Sequence, residues 1–195
     1  MATVRPECET PGVILAGGRS SRMGRDKALL PFQGRRLLDH VVDRIAPQVR
    51  RLAISGDAAR LGEWPFAILA DPVAGQPGPL AGVLAAMRWA QRFGAARVLT
   101  VPVDTPFLPP DLVRRLAVID PSRVGCARAG DRRHPVIALW PLVPETVLDA
   151  LERGERRVGV VASAIGAEDV EFDAAALVNL NTPDDVAHYP AIVSR

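Results

Sequence analysis

A short apolar run that ends in a glycine pair constrains this chain more than any other feature. Residues 13–16 read Val-Ile-Leu-Ala, which is typical of a buried parallel strand, and Gly17 and Gly18 follow directly. The residues after the glycines are small, polar and basic as far as Lys27. Successive backbone N–H groups in such a loop attract anions, and the basic side chains add positive charge. The segment is therefore typical of a strand followed by a phosphate-binding loop.

The spacing of this loop excludes two common phosphate-binding patterns. A P-loop requires Gly-Lys followed by Ser or Thr, but here Gly24 precedes Arg-Asp-Lys. The dinucleotide-binding pattern Gly-x-Gly-x-x-Gly does not fit residues 17–22 either. Lys27 is the only lysine in a chain with 24 lysine and arginine residues. Because a compact ammonium suits a position between phosphate oxygens, we expect Lys27 to contact nucleotide phosphates.

Strand-like and helix-like segments alternate through the first half of the chain. The strand-like runs lie at residues 13–16, 51–55, 66–70 and 97–101. This alternation predicts an α/β fold in one three-layer domain, with a mainly parallel sheet and helices on both faces. Residues 125–128 and 135–140 have the character of two more strands, joined by the polar turn 130–134. They predict an antiparallel extension of the sheet.

Candidate site residues follow the predicted strands, where ligands bind in sheets of this kind. Asp71 comes after the third strand, and Gly78 opens the Gly-Pro-Leu-Ala-Gly turn that leads into a helix. Asp104 follows the fourth strand between two prolines. That position suits Mg²⁺, which prefers one or two carboxylates together with waters and substrate phosphates. The alternatives are that Asp104 forms a turn or a cap, and that residues 78–82 are a plain helix start.

Three further sets of polar residues are candidates in the second half of the chain. His134 is suited either to binding an anion or simply to filling its turn. Arg156 and Arg157 are suited to a phosphate or carboxylate, or to surface charge alone. Asn179 and Asn181 lie two residues apart in a predicted strand, so their side chains would point the same way, toward a metal or ligand at its end. The alternative for Asn181 is a cap on the following helix.

Composition favours an ordinary globular protein and excludes some classes of partner. The chain has 195 residues, of which 48% are hydrophobic and 24% charged, and its formal net charge is +2. This charge is too small to indicate nucleic-acid or membrane binding, and the 5% of aromatic residues argue against base stacking. Two cysteines without metal-ligand spacing, and no apolar stretch of the ~18 residues that a membrane span needs, favour a cytoplasmic protein. We expect residues 1–11 to form a flexible leader and residues 12–195 to form one domain.

Together, the motifs resemble those of the molybdenum cofactor guanylyltransferases, a branch of the nucleotidyltransferases. They lie at residues 15–18, 22–24, 27, 78–82, 102–107, 134–135, 154–157 and 179–183. The resemblance implies a Rossmann-like nucleotidyltransferase fold. It implies transfer of GMP from GTP to the terminal phosphate of the molybdopterin cofactor, with release of pyrophosphate. It also implies transient contacts with proteins that deliver or accept the cofactor.

The resemblance also assigns residues to each substrate. For GTP these are Leu15, Ala16, Gly17, Lys27, Asp71 and Asp104, and the predicted nucleotide site further includes Gly18, Arg22, Ser55 and Gly78. Asp104 would also bind Mg²⁺, and Lys27 and Asp104 would be the catalytic residues. The predicted cofactor-substrate site consists of His134, Arg156, Arg157, Asn179 and Asn181. Two positions depart from the family pattern: Val103 stands where cysteine is frequent, and Ser55 stands where relatives can carry an asparagine that contacts the nucleotide.

The implied chemistry needs no nucleophile from the protein, because the cofactor phosphate would attack the α-phosphorus of GTP in line with the departing pyrophosphate. Positioning and neutralisation of charge would supply the catalysis, so Lys27 and Asp104 must share one cleft. Two alternative enzymes are a cytidylyltransferase acting on the same cofactor and another NTP-dependent phosphate-ester nucleotidyltransferase. A third alternative is a nucleotide-binding regulator without turnover.

Overall fold

A computed structural model describes residues 9–17, 27–73, 78–181 and 185 of the chain. Its strands are β1 (Gly12–Leu15), β2 (Pro31–Phe32), β3 (Arg35–Arg36), β4 (Leu52–Ser55), β5 (Ala67–Leu69), β6 (Arg97–Pro102), β7 (Gly125–Ala129), β8 (Arg132–Pro141) and β9 (Glu168–Glu171). Its α-helices are α1 (Leu37–Ile45), α2 (Ala58–Leu61), α3 (Pro79–Gln91), α4 (Leu112–Leu116), α5 (Pro144–Glu152) and α6 (Val158–Ala164). Short 3₁₀ turns lie at Lys27–Leu29, Ala46–Gln48 and Ala174–Leu177. No helix in the described ranges is long and apolar enough to cross a membrane.

Seven of these strands form one sheet in the order β5-β4-β1-β6-β8-β7-β9, and β2 pairs with β3 in a separate hairpin. β1 is parallel to both β4 and β6, and β4 is parallel to β5. β8 is antiparallel to β6 and β7, whereas β9 is parallel to β7. The prediction of a mainly parallel sheet with an antiparallel extension is confirmed.

The register of the central strands determines where a ligand can meet the chain. Gly12 at the start of β1 is level with Leu52 and Leu99, and Leu15 at its end is level with Ser55 and Pro102. The residues that follow β1, β4 and β6 therefore emerge side by side at one edge of the sheet, which we call the carboxyl edge. The starts of the same three strands form the opposite edge, which we call the amino edge.

Helices cover both faces of the sheet, and the core lies in two layers. The side chain of Ile14 packs in the layer with α1 and α4, whereas those of Val13 and Leu15 pack in the layer with α3, α5 and α6. All residues of β1 are buried, as expected for a parallel strand that is covered on both faces. α1 buries the apolar side of its helix in the first of these layers.

The β7–β8 hairpin corrects the prediction that residues 130–134 form a turn. The turn consists of Gly130 and Asp131, and β8 begins at Arg132, so Arg133 and His134 also lie in a strand. Gly130 has a φ of +55°, a conformation that favours glycine. The first part of β8 pairs with β7 alone and extends beyond its pairing with β6. Its polar residues resemble a turn in sequence because they are less covered than those of a central strand.

Two segments near the C-terminus also differ from expectation. β9 was not predicted, because its sequence Glu-Asp-Val-Glu lacks apolar alternation; its Asp169 forms ion pairs with Arg128 and Arg133. The strand predicted from residue 178 onward is wrong, since residues 178–181 have no regular secondary structure. Among the described residues, a backbone hydrogen bond from Leu180 N to Asp104 O at 2.8 Å joins this segment to the end of β6 instead of a strand ladder.

Candidate active site

Backbone hydrogen bonds join the end of β1 to the strands on either side. Ala16 N donates to Ser55 O at 2.8 Å, and Val103 N donates to Leu15 O at 3.2 Å. Gly17 is exposed, and a Cβ at that position would lie 3.7 Å from Ser55 O. Four residues predicted to bind nucleotide therefore lie together at the carboxyl edge. Hydrogen bonds to both neighbouring strands hold the backbone in place there.

α3 begins at the same edge and packs closely on the strand ends because of two glycines. Gly78 precedes the helix with a φ of +87°, which favours glycine, and Pro79 occupies the first helical position. A Cβ on Gly82 would lie 3.0 Å from Leu15 Cδ2 and 3.3 Å from Ser55 Oγ. The lack of a side chain at Gly82 lets the positive end of the α3 dipole lie next to the predicted nucleotide-binding residues.

Lys27, Asp104 and Asn181 form a hydrogen-bonded cluster at this edge. Lys27 Nζ donates to Asp104 Oδ2 at 3.1 Å and to Asn181 Oδ1 at 2.8 Å. The side chains of Lys27 and Asp104 are 21% and 16% exposed, so solvent screens their attraction less than it would on an open surface. Asn181 N donates to Asp185 Oδ2 at 2.8 Å, which ties the C-terminal segment to the cluster. Three residues that are 77 and 154 positions apart in sequence thus meet at one point.

A second contact fastens the C-terminal segment beside Asp104. Thr105 is fully buried, and its hydroxyl donates to Asn179 Oδ1 at 3.3 Å. Together with the backbone bond from Leu180 to Asp104, this contact aligns residues 179–181 with the end of β6. Sequence reasoning missed Thr105, although its place between Asp104 and a proline was a usable signal.

One oxygen of Asp104 is free for a ligand as far as the described residues show. Asp104 Oδ1 is buried and has no hydrogen-bond partner among them, while Oδ2 accepts from Lys27. A buried carboxylate oxygen without a partner is costly, so an orphan of this kind indicates a missing cation or donor. In the described ranges, no three His, Cys, Asp or Glu residues are grouped as metal ligands. The site therefore fits a cation held by one carboxylate and by substrate oxygens.

Asp71 lies after β5 at the same edge of the sheet. It is exposed, and its Oδ1 accepts from Val73 N at 3.1 Å in a turn of its own. Leu69, two residues earlier, accepts a hydrogen bond from Gly56 N at 2.9 Å. That bond links the ends of β4 and β5. The structure places Asp71 on the outer side of the predicted nucleotide site.

His134 lies at the start of β8, on the side of the carboxyl edge beyond β6. It is half-buried, and burial, followed by the nearby charge of Arg132, lowers the pKa of His134. The imidazole is therefore neutral at pH 7 and can donate or accept one hydrogen bond, but it is a weak partner for an anion. Its neighbour Pro135 lies against α6, where a Cβ on Gly159 would be 3.6 Å from Pro135 Cγ.

Arg156 and Arg157 precede α6, and their guanidinium groups bond to local partners. Arg156 Nη1 donates to Leu151 O at 2.8 Å and to Glu155 O at 2.9 Å, which caps α5. Arg157 donates to both carboxylate oxygens of Glu155, at 3.0 and 2.9 Å. These bonds, with those from two backbone N–H groups, lower the pKa of Glu155 to about 2.

The predicted site residues thus include some that meet at the carboxyl edge, some that bond elsewhere, and some that lie outside the described residues. Within the described residues, neither Arg156 nor Arg157 hydrogen-bonds to the Lys27 cluster, whereas Asn181 belongs to it. The predicted site residues Gly18 and Arg22 lie outside the described residues, as does most of the predicted phosphate loop. The sequence motif at residues 78–82 includes Gly82, but the close packing of this glycine on Leu15 was not predicted.

A mainly parallel sheet whose first strand leads into glycines, with a lysine and a carboxylate meeting at its carboxyl edge, is typical of α/β enzymes that act on nucleotide phosphates. The chain belongs to the MobA-like NTP transferase family, since the profile of that domain matches residues 12–167. The resemblance inferred from the motifs is confirmed at the level of this family.

Individual relatives agree with that assignment. A molybdenum cofactor guanylyltransferase of Cereibacter sphaeroides is 44% identical over 189 residues, which cover 94% of this chain and 97% of that protein. One from Rhodopseudomonas palustris is 44% identical over 201 residues, with 95% of each chain covered. Among solved structures, molybdopterin-guanine dinucleotide biosynthesis protein A from Archaeoglobus fulgidus has a TM-score of 0.72 at 20% identity, covering 91% of this chain and 95% of that one. At that identity the likeness shows the fold alone.

Proposed function

We propose that this protein transfers GMP from GTP to the terminal phosphate of the molybdopterin cofactor, giving the guanine dinucleotide cofactor and pyrophosphate. The single observation that carries the proposal is the pairing of Lys27 with Asp104, 3.1 Å apart at the carboxyl edge. In a family of NTP transferases, this pairing puts an ammonium for phosphate oxygens beside a carboxylate for a metal ion. The names of the relatives at 44% identity support guanine as the base and the molybdenum cofactor as the acceptor.

Asp104 Oδ1 is the atom that we propose as the ligand of a Mg²⁺ ion. The oxygen is buried and has no described hydrogen-bond partner, and a hard anionic oxygen is the donor that Mg²⁺ prefers. When bound, Mg²⁺ supplies positive charge to the phosphate oxygens of GTP. The backbone bond from Leu180 N to Asp104 O and the bond from Lys27 to Asp104 Oδ2 orient the carboxylate for this role.

Lys27 holds its ammonium at a position where the triphosphate would lie. Its bonds to Asp104 and Asn181 limit the freedom of a flexible side chain, and the third N–H donor can meet a phosphate oxygen. During transfer, the cofactor phosphate attacks the α-phosphorus, and the bond from that phosphorus to the pyrophosphate oxygen breaks. Lys27 and the end of α3 would stabilise the charge that develops on the departing pyrophosphate.

The acceptor would bind on the other side of Asp104, between the C-terminal segment and the start of β8. Asn181 touches Lys27 directly, and Asn179 is held by Thr105, so both amides border the proposed reaction centre. His134 would contribute a neutral imidazole to this side. Arg157 keeps 77% of its side chain exposed despite its pairing with Glu155, and it would meet the cofactor phosphate at the rim. Arg156, which caps α5, would support the position of Arg157.

A pyrophosphate-release assay with supplied molybdopterin tests the function directly. GTP should be turned over in the presence of Mg²⁺, and CTP should be turned over much more slowly. EDTA should stop the reaction, and addition of Mg²⁺ should restore it. A preference for CTP would assign the protein as a cytidylyltransferase. Nucleotide binding without metal-dependent turnover would contradict the enzyme assignment altogether.

A further inference from the structure

A cleft of about 840 Å³ lies at the amino edge of the sheet, at the opposite ends of β1, β4 and β6 from Lys27 and Asp104. Its walls are residues that precede or begin these three strands, together with Arg114 of α4, residues that follow α4, and Leu139 of β8. The volume falls within the roughly 300–1,000 Å³ of small-molecule sites. Neither the proposed GTP site nor the proposed cofactor site uses any residue of this cleft.

Positive charge dominates the lining of the cleft. Arg50, Arg51, Arg97 and Arg114 line it, and Glu9 is the only acidic side chain among the described lining residues. Three formal positive charges are therefore in excess, although the whole chain carries a net charge of only +2. Such a concentration of guanidinium groups attracts anions with several negative charges.

Two of the four arginines already have carboxylate partners. Arg50 forms an ion pair with Glu9, and Arg114 forms one with Asp111. Arg51 instead stacks its guanidinium 4.5 Å from the ring centroid of Phe93, and among the described residues it has no ion pair. Its charge is therefore available to a ligand in the cleft.

Arg97 is the buried cation of this cleft. The residue is 9% exposed, and among the described residues its guanidinium donates only to carbonyl oxygens, at distances of 3.1 to 3.5 Å. Its Nε is buried and has no hydrogen-bond partner among the described residues. Burial lowers the pKa of Arg97, but a guanidinium keeps its proton at neutral pH. Burying a charge is costly; the nearby carboxylate of Asp120 opposes the lowering of the pKa and offsets part of that cost, and an anion in the cleft would reduce it further.

We propose that the amino-edge cleft binds a small anion with two or more phosphate or carboxylate groups, next to Arg51 and Arg97. A small molecule fits better than a protein segment, because the lining is concave and of ligand size. Phe93 and Val118 are 46% and 76% exposed on the walls and would cover an apolar part of the ligand. The site is separate from the proposed transfer reaction and does not depend on it.

Calorimetric titration of inorganic pyrophosphate, and separately of citrate, into the full-length Lys27→Ala variant tests the proposal. The titrations are done without divalent metal, so that phosphate binding at the carboxyl edge is weakened. At least one of the two anions should bind, and the preferred one distinguishes a phosphate ligand from a carboxylate ligand. Adding Arg51→Glu should weaken this binding by about tenfold or more.

Arg88→Glu is the matched control, because it makes the same charge change at an exposed position of α3 outside the cleft lining. It should leave the affinity unchanged. Arg97→Met, of similar length but uncharged, should abolish binding; if this variant does not fold, Arg51→Glu decides the outcome. The proposal is overturned if neither anion binds, or if Arg51→Glu and Arg88→Glu bind with equal affinity.

Discussion

The two ends of strands β1, β4 and β6 differ in how their charged side chains are arranged. At the carboxyl edge, Lys27 lies 3.1 Å from Asp104, and the other oxygen of that carboxylate has no described partner. At the amino edge, the buried Arg97 donates hydrogen bonds to carbonyl oxygens, and the described lining contains four arginines and one glutamate. The same strands therefore present a mixed pair of charges at one end and an excess of one sign at the other.

This difference indicates two different kinds of ligand. A carboxylate oxygen and an ammonium in one cluster suit a metal ion together with a triphosphate, because each charge of the pair then has a partner. An excess of guanidinium groups suits an anion that arrives without a metal. Chelation of divalent metal should accordingly weaken nucleotide binding at the carboxyl edge and leave anion binding at the amino edge unchanged.

Asp104→Asn should have the largest effect of any single substitution. The amide keeps the shape and can still accept from Lys27, but it removes the negative charge that a metal ion needs. We expect GMP transfer to fall by roughly 10³-fold or more while the fold stays intact. Pyrophosphate release measures the rate of GMP transfer, and circular dichroism with thermal unfolding shows whether the fold is intact.

Asp43→Asn is a matched control for that variant. Asp43 carries an exposed carboxylate, paired with Arg35 on the surface, and the same chemical change there should leave turnover unchanged. Anion binding in the amino-edge cleft should also be normal in Asp104→Asn, which would separate the two edges. Near-normal turnover of Asp104→Asn would refute the metal role of this residue.

Lys27→Ala should have the next largest effect. Loss of a preorganised charged donor costs on the order of 2–4 kcal/mol of transition-state stabilisation, or about 10²–10³-fold in kcat/KM. Lys27→Arg should recover only part of the loss, because a planar guanidinium cannot occupy the position of the ammonium between Asp104 and Asn181. Full activity of the arginine variant would show that any cation is sufficient, and that the single lysine has no special geometry.

The comparison also shows which features could be predicted from sequence. The ends of parallel strands share an edge, so the sequence alone predicts that Asp104 lies near the end of β1. The strand-like runs likewise marked β1, β4, β5 and β6. The cleft at the amino edge could not be predicted, because Arg51 and Arg97 precede or begin strands and look like ordinary surface residues. Burial of Arg97 depends on the carbonyls of residues 119, 123 and 139, which only the tertiary fold brings together.

Gly82→Ala should have a moderate effect that is confined to the carboxyl edge. Its Cβ would lie 3.0 Å from Leu15 Cδ2 and 3.3 Å from Ser55 Oγ, so these side chains or α3 must shift slightly. We expect this overpacking to cost about 1–3 kcal/mol, more than the roughly 0.5–1 kcal/mol that alanine contributes to a helix. Gly159→Ala is the control, since its Cβ would be in ordinary contact, 3.6 Å from Pro135 Cγ, and alanine favours a helix by roughly 0.5–1 kcal/mol. Denaturant unfolding should therefore show opposite signs for the two variants, and KM for GTP should rise only for Gly82→Ala. Equal effects would mean that the close approach of α3 is unimportant.

The smallest expected effect concerns the pH dependence of stability, and it follows from the difference between a buried arginine and a half-buried histidine. Arg97 keeps its proton despite burial, whereas burial and Arg132 lower the pKa of His134 from its ordinary value of 6.5. Below that value the unfolded chain binds a proton at His134 more readily than the folded chain, so the free energy of unfolding should fall as the pH drops through 6.5. Urea unfolding between about pH 7.5 and pH 5.5 should show this fall, and it should be smaller in His134→Gln. If both proteins lose stability equally over that range, desolvation of His134 is not its source, and the start of β8 must be more open to water than its packing against α6 indicates.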